Sequence, residues 1–114
     1  MIKVYGIKNC DTCRKALKAL SAAGLDHQYH DFRVDGLSAD DLDKWIASAG
    51  WEKLLNKRGT TWRNLSDDIK DSVNEAVARD LMLDNPTLIK RPVFDTPQGV
   101  IVGFTKNEQA LLGL

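Results

Sequence analysis

The chain contains two cysteines, Cys10 and Cys13, spaced as Cys10-Asp11-Thr12-Cys13. The pair directly follows a short apolar segment and opens a helical pattern. That setting decides the chemistry the spacing can do. Amides at a helix N-terminus lack intrahelical partners, and the helix dipole puts positive potential there. A thiolate placed at that point is favoured over the thiol, so its pKa falls and its reactive fraction at neutral pH rises. Cys10 lies at or just before the first turn and reads as the attacking sulfur. Cys13 lies about one turn further in, within bridging range, and reads as the thiol that resolves the resulting mixed disulfide. Asp11 is an ordinary first-turn acid, but its charge opposes thiolate formation. In a reducing compartment a C-x-x-C of this kind points to redox or metal chemistry more than to a structural staple.

Two other uses of the cysteines fit the spacing less well. Buried free cysteine is common, but a pair at a polar helix start is an unusual place for core residues. Cys10, Cys13, His27 and His30 form C-x2-C-x13-H-x2-H, close to a zinc finger. The histidine spacing is shorter than usual, and an offset of three in a strand sends the two rings to opposite faces. No metal is therefore expected. The cations Lys8, Arg14, Lys15, Arg58 and Arg91 are scattered, and most such residues are simply solvated. Arg91 stands apart because Pro92 follows it, and an X-Pro bond before an apolar strand is open to the cis form.

The elements that would hold these residues are legible from patterning. Residues 2–7 read as a strand. A helix follows from Asp11, with Ala16, Leu17, Leu20 and Ala23 at helical spacing and Gly24 as its stop. Residues 27–32 alternate as a second strand, with His27, Tyr29 and Asp31 against Gln28, His30 and Phe32, and run into a turn at Val34-Asp35-Gly36. Ser38 caps a helix running to Gly50. Residues 51–57 suggest a short helix, and a longer helical stretch starts at Ser66 and ends at Asn85-Pro86. Strands at 92–95 and 100–104 flank Thr96-Pro97-Gln98-Gly99, a hairpin signal, and Glu108 to Leu112 closes the chain as a helix. Setting the middle helices aside leaves β-α-β…β-β-α. The expected fold is α/β: one thioredoxin-like domain over 1–114 with a helical insertion at about 38–84.

Composition narrows the function classes. Lysine plus arginine equals aspartate plus glutamate, 16 each, so bulk electrostatics does not drive nucleic-acid binding. No apolar run approaches the ~20 residues that span a bilayer, and Met1-Ile2-Lys3-Val4-Tyr5 reads as a strand and not as a signal peptide. The expectation is a cytoplasmic monomer with no nucleic-acid or membrane partner.

Three blocks carry a resemblance: Tyr5-Gly6-Ile7-Lys8-Asn9-Cys10-Asp11-Thr12-Cys13-Arg14-Lys15, then Asn56-Lys57-Arg58-Gly59-Thr60-Thr61-Trp62, then Ile89-Lys90-Arg91-Pro92-Val93. In this order they resemble the arsenate reductase-related family (ArsC/Spx), the thioredoxin-fold group that also holds the Spx-type regulators. The likeness covers essentially the whole chain and is greatest to the YffB-like branch. The resemblance implies a nucleophile at Cys10, a cis Arg91–Pro92 bond, and glutathione as co-substrate of a thiol-disulfide reductase, with no bound cofactor. It places Arg58 and Arg91 around an anion site, where guanidinium groups stabilise a thiolate and hold a carboxylate or oxyanion. The implied catalytic set is Cys10, Cys13, Arg91 and Arg58. Lys8, Asn9, Thr12, Arg14 and Pro92 join the two arginines in the implied contacts to glutathione or a small disulfide. Arsenate reductases of this type carry a third basic residue after the final hairpin. Here Val100-Ile101-Val102-Gly103-Phe104 contains none, which disfavours arsenate and suits a larger, partly apolar thiol. The Spx-type alternative is a redox-sensing protein that grips a protein partner.

Overall fold

The computed structural model describes residues 1–114. The chain forms two compact units, one of residues 1–36 with 91–114 and one of residues 37–90.

The first unit is built on a four-stranded sheet. Its strands are β1 (Ile2–Gly6), β2 (His27–Asp31), β3 (Val93–Thr96) and β4 (Gly99–Val102), in the order β2-β1-β3-β4. β1 and β2 are parallel, joined through helix α1 (Asp11–Ala22), while β3 and β4 run antiparallel to their neighbours. Register explains the core. Tyr29, Val4, Phe94 and Ile101 stand in one row across the sheet. On this face Val4 and Phe94 are buried with Ala16 and Leu20 of α1 and with Leu112, while Tyr29, Ile101 and Phe104 pack at the edge. Each large apolar side chain fully buried here contributes about 1.5–3 kcal/mol, and this row anchors α1 over β1. The opposite face carries His30, Tyr5, Val93 and Val102 as a second row, with the Tyr5 and His30 rings 5.0 Å apart.

The strands and hairpin fall where patterning puts them, with small shifts at the ends. Thr96 pairs with Gly99 across the Pro97-Gln98 turn, and the Thr96 hydroxyl donates to the Gly99 carbonyl at 2.8 Å. The expected turn at Val34-Asp35-Gly36 is instead one helical turn, α2 (Phe32–Asp35). The Asp31 carboxylate accepts from the Arg33 amide at 2.8 Å and the Asp35 carboxylate accepts from the Asp31 amide at 3.1 Å, so short-range side-chain bonds tip the segment into helix. Gly36, at φ 80°, ends it.

The second unit holds α3 (Ala39–Ala49), α4 (Trp51–Leu54), α5 (Thr60–Arg63), α6 (Asp67–Asp71), α7 (Glu75–Asp84) and a 3-10 turn at Pro86–Leu88. Leu42, Trp45, Leu54, Met82 and Leu88 are among its buried side chains. Three expectations are corrected. The helix expected over 51–57 stops at Leu54, because Leu55 turns extended and bridges Ile89. The short helix α5 was not expected. The stretch after Ser66 is two helices, because the Ser72 hydroxyl donates to the Asp68 carbonyl at 2.8 Å and the Asn74 side chain caps a new helix at the Val77 amide, 3.0 Å away. Such side-chain bonds compete with helix continuation. The 3-10 turn and the Leu55–Ile89 bridge tie residues 86–90 to this unit. In the first unit the closing helix, α8 (Lys106–Leu111), starts two residues earlier than expected, behind a reciprocal capping box between Thr105 and Glu108. No helix is long and apolar enough to cross a membrane.

Candidate active site

The chain leaves β1 at Gly6, turns through a Cys10 amide to Ile7 carbonyl bond of 3.3 Å, and enters α1. Cys10 is the N-cap residue of α1 in extended geometry (φ −108°, ψ 115°), and its carbonyl accepts the first helical bond from Arg14 at 3.0 Å. The nucleophile candidate therefore sits where the helix start leaves its amides free. Cys10 is partly exposed and Cys13 is 1% exposed; both are free thiols.

The two sulfurs have opposite proton affinities. Burial works against ionisation at Cys10, but it is outweighed by hydrogen bonds from the Cys13 amide, the Cys13 thiol and the Arg91 guanidinium, and by the charge of Arg91, so its pKa lies below the ordinary 9.0. Burial and the neighbouring Cys10 sulfur push Cys13 up to about 12, against a lowering contribution from the Ile7 backbone. The Cys13 thiol donates a hydrogen bond to the Cys10 sulfur, which favours the anionic form of Cys10 and the protonated form of Cys13.

Cys13 reaches this position because residue 6 is glycine. A Cβ on residue 6 would lie 2.5 Å from the Cys13 Sγ. Gly6→Ala is accordingly expected to cost about 1–3 kcal/mol, the usual range for overpacking. Urea unfolding checks this, and Gly6→Ala combined with Cys13→Ala should recover most of the loss because the offending sulfur is gone.

Around the pair, Lys8 and Asn9 are exposed and line, with Ile7, Cys13, Arg14, Leu17 and Tyr29, a cleft of about 250 Å³. Arg14 forms an exposed ion pair with Asp11. That pairing offsets the Asp11 charge, whose opposition to the thiolate was the concern raised by the sequence. Thr12 is the exposed second residue of α1, and the amide that reaches the Cys10 sulfur belongs to Cys13. The Arg91–Pro92 bond is cis, with Pro92 fully buried at the entrance to β3. The structure thus brings together Cys10, Cys13 and Arg91, with Lys8, Asn9 and Arg14 at the cleft beside Cys13. Arg58 belongs to the second unit, in the exposed link between α4 and α5, where its amide donates to the Asn56 side chain at 3.1 Å. His27 Nδ1 meets the Leu25 carbonyl at 2.8 Å and His30 Nε2 the Gly36 carbonyl at 2.7 Å. No group of three or more His, Cys, Asp or Glu is gathered as a metal site.

Three residues near the sulfurs were not singled out by sequence reasoning. Gly6 registers with Asp31, and Val4 with Tyr29, so Gly6, Tyr29 and Asp31 share the α1 face of the sheet. The Tyr29 phenol is raised to about 12 by burial, by the charges of Asp31, Cys13 and Cys10, and by its hydrogen bond to Asp31. The signal was present in the alternation of residues 27–32, which puts Tyr29 and Asp31 on one face. It was silent on the strand lying alongside.

Comparison with known proteins places this geometry. The ArsC family matches residues 5–111, and the chain belongs to that family. A protein of Haemophilus influenzae is 47% identical over 108 residues, covering 95% of each chain. The global transcriptional regulator Spx of Lactiplantibacillus plantarum is 28% identical over 111 residues, covering 95% of this chain and 83% of the regulator. Among solved structures, the protein YffB (PA3664) superposes with a TM-score of 0.90 at 38% identity over 97% of each chain. An arsenate reductase-related protein of Brucella melitensis gives 0.80 at 42% identity over 99% of this chain and 95% of its own. The fold is the thioredoxin-like fold of this thiol-redox family, related both to arsenate reductases and to Spx regulators.

Proposed function

We propose that this chain is a thiol-disulfide reductase that uses glutathione, with Cys10 as nucleophile and Cys13 as resolving thiol. The observation that carries the reading is the asymmetry of the pair: a pKa lowered at partly exposed Cys10 and raised to about 12 at buried Cys13. A nucleophile must be ionised and reachable, whereas a resolving thiol must wait protonated until it is needed.

The Cys10 thiolate attacks one sulfur of a mixed disulfide between glutathione and a second thiol. A Cys10–glutathione bond forms, and the other thiolate leaves and takes a proton from solvent. Cys13 then attacks the Cys10 sulfur, the Cys10–Cys13 disulfide forms, and glutathione leaves. Two further glutathione molecules reduce that disulfide and depart as oxidised glutathione. The first step also prepares the second. Once Cys10 is a disulfide it is no longer an anion, so the thiolate charge and acceptor that hold the Cys13 proton are gone. Arg91 supports the thiolate, and the cations Lys8 and Arg14 suit the carboxylates of glutathione.

Similarity to Spx over 95% of this chain favours a second reading, in which the same cysteine pair switches a partner-binding surface without turnover. Steady-state reduction of a glutathione mixed disulfide under excess glutathione separates the two. Turnover is expected, and Cys13→Ser should lower it by about tenfold or more, because glutathione from solution replaces an intramolecular thiol. Absence of turnover above uncatalysed exchange would sink the reductase reading and favour the switch.

A further inference from the structure

Glutathione chemistry leaves one side of the cysteine pair unexplained. β1 leads to the pair, with β3 on one flank and β2 on the other. Arg91 and Pro92 lead into β3, whereas the cleft of about 250 Å³ opens on the β2 flank, between α1 and Tyr29. Its walls are largely apolar: Ile7 is 7% exposed, and Leu17 and Tyr29 are half-buried against the core of the first unit. Glutathione is a polar tripeptide and gives those walls little to bury. The cleft is also smaller than the roughly 300–1,000 Å³ of pockets that enclose a whole small-molecule ligand, and so matches a single side chain. Its rim is cationic. Lys8 and Arg14 line it, and no carboxylate does. Lys18, exposed one turn beyond Arg14 on the same flank of α1, extends the row. From residue 8 to residue 18 the chain carries four cations, Lys8, Arg14, Lys15 and Lys18, against the single acid Asp11, in a protein whose total positive and negative charges are equal.

We infer that this cleft selects the protein half of the mixed disulfide: an apolar side chain beside the target cysteine seats on Ile7, Leu17 and Tyr29, and an acidic residue next to it meets Lys18. The inference rests on the glutathione-dependent reductase reading and names its substrate class, a glutathionylated cysteine in an apolar and acidic segment of a protein. Lys8 and Arg14 stay with glutathione at the end of the row nearest the sulfurs, and Lys18 reads the protein chain. The lengths agree. One helical turn, about 5.4 Å, separates Arg14 from Lys18, and two residues of extended chain advance about 6.6 Å. The acid therefore falls one or two positions beyond the apolar residue. Attraction at such an exposed rim is real at low salt and is screened as salt rises.

The test compares three end-blocked peptides that carry glutathione on their cysteine: Cys-Leu-Glu, Cys-Leu-Lys and Cys-Gly-Glu. Each is offered to the wild type under excess glutathione, beside the small mixed disulfide of glutathione and 2-mercaptoethanol. Cys-Leu-Glu should have the highest kcat/KM. Loss of its leucine should cost about tenfold, the effect of burying roughly half a leucine side chain. Exchange of its glutamate for lysine should cost severalfold at low salt and little at high salt. Lys18→Ala changes an exposed position, so turnover of the small disulfide should be unchanged while the preference for glutamate largely disappears. Leu17→Ala should shrink the preference for leucine, with thermal unfolding run beside it to establish that the variant is folded. Equal kcat/KM for the three peptides in the wild type, or a glutamate preference that survives Lys18→Ala intact, overturns the inference. Turnover of none of the four disulfides overturns the reductase reading together with it, a distinct outcome because the small disulfide makes no use of the cleft.

Discussion

Cys10→Ser is expected to abolish reduction of glutathione mixed disulfides, by roughly 10³-fold or more, while leaving the fold intact. The hydroxyl fits the space of the thiol at the N-cap, and serine is a favoured residue there, so stability should hold or rise slightly. The loss is chemical. A serine hydroxyl does not ionise near neutrality, and the hydrogen bonds from the Cys13 amide, the Cys13 thiol and Arg91 have no anion to stabilise. The parallel measurement is thermal unfolding. An unchanged melting profile with lost turnover assigns the effect to the nucleophile. Residual turnover near the wild-type rate would move the chemistry away from Cys10.

Arg91→Ala should produce the second largest effect. Burial alone would hold Cys10 as a thiol, and the lowered pKa exists because three hydrogen bonds and one full charge outweigh that burial. Arg91 supplies the charge and one of the bonds. Without it the Cys10 pKa rises toward or beyond 9.0. A higher pKa leaves less thiolate at neutral pH, so alkylation by iodoacetamide should slow severalfold. The sign is specific. The thiolate fraction grows with pH, so the ascending limb of the rate profile moves to higher pH and the variant regains the wild-type rate under alkaline conditions. Arg91→Lys should fall between the two, because lysine restores the charge without the planar fork of donors. A rate reduced equally at every pH would mean that Arg91 positions substrate and does not tune the sulfur.

Much of this site could be read along the chain because its parts are local. The C-x-x-C, the preceding strand and the helix start are contiguous, and helix-end physics acts within one turn. The hairpin at Thr96–Gly99 and the cis bond before Pro92 were legible for the same reason or through resemblance. What escaped is what depends on neighbours in space. Gly6 looked like a break in a pattern, and its role appears only when α1 lays Cys13 over it. Tyr29 and Asp31 looked like alternating strand residues until parallel pairing set them beside Val4 and Gly6. In the second unit, the break at Ser72 to Asn74 escaped because helical spacing runs across it through Val73, Val77 and Leu81, while side-chain bonds to the backbone decide otherwise. The offset of the Asp11 charge by Arg14 was within reach, since a separation of three on a helix brings such side chains together.

The central claim is that the Cys10 thiol ionises below the ordinary 9.0 and the Cys13 thiol well above it. Thiolate absorbance in the ultraviolet, followed against pH in the wild type and in Cys10→Ser, measures it directly. The account predicts one wild-type thiol ionising below the ordinary 9.0 and the other holding its proton far into the alkaline range, with the early transition missing in Cys10→Ser. Two thiols ionising together near the ordinary value, or an early transition that survives in Cys10→Ser, would contradict it.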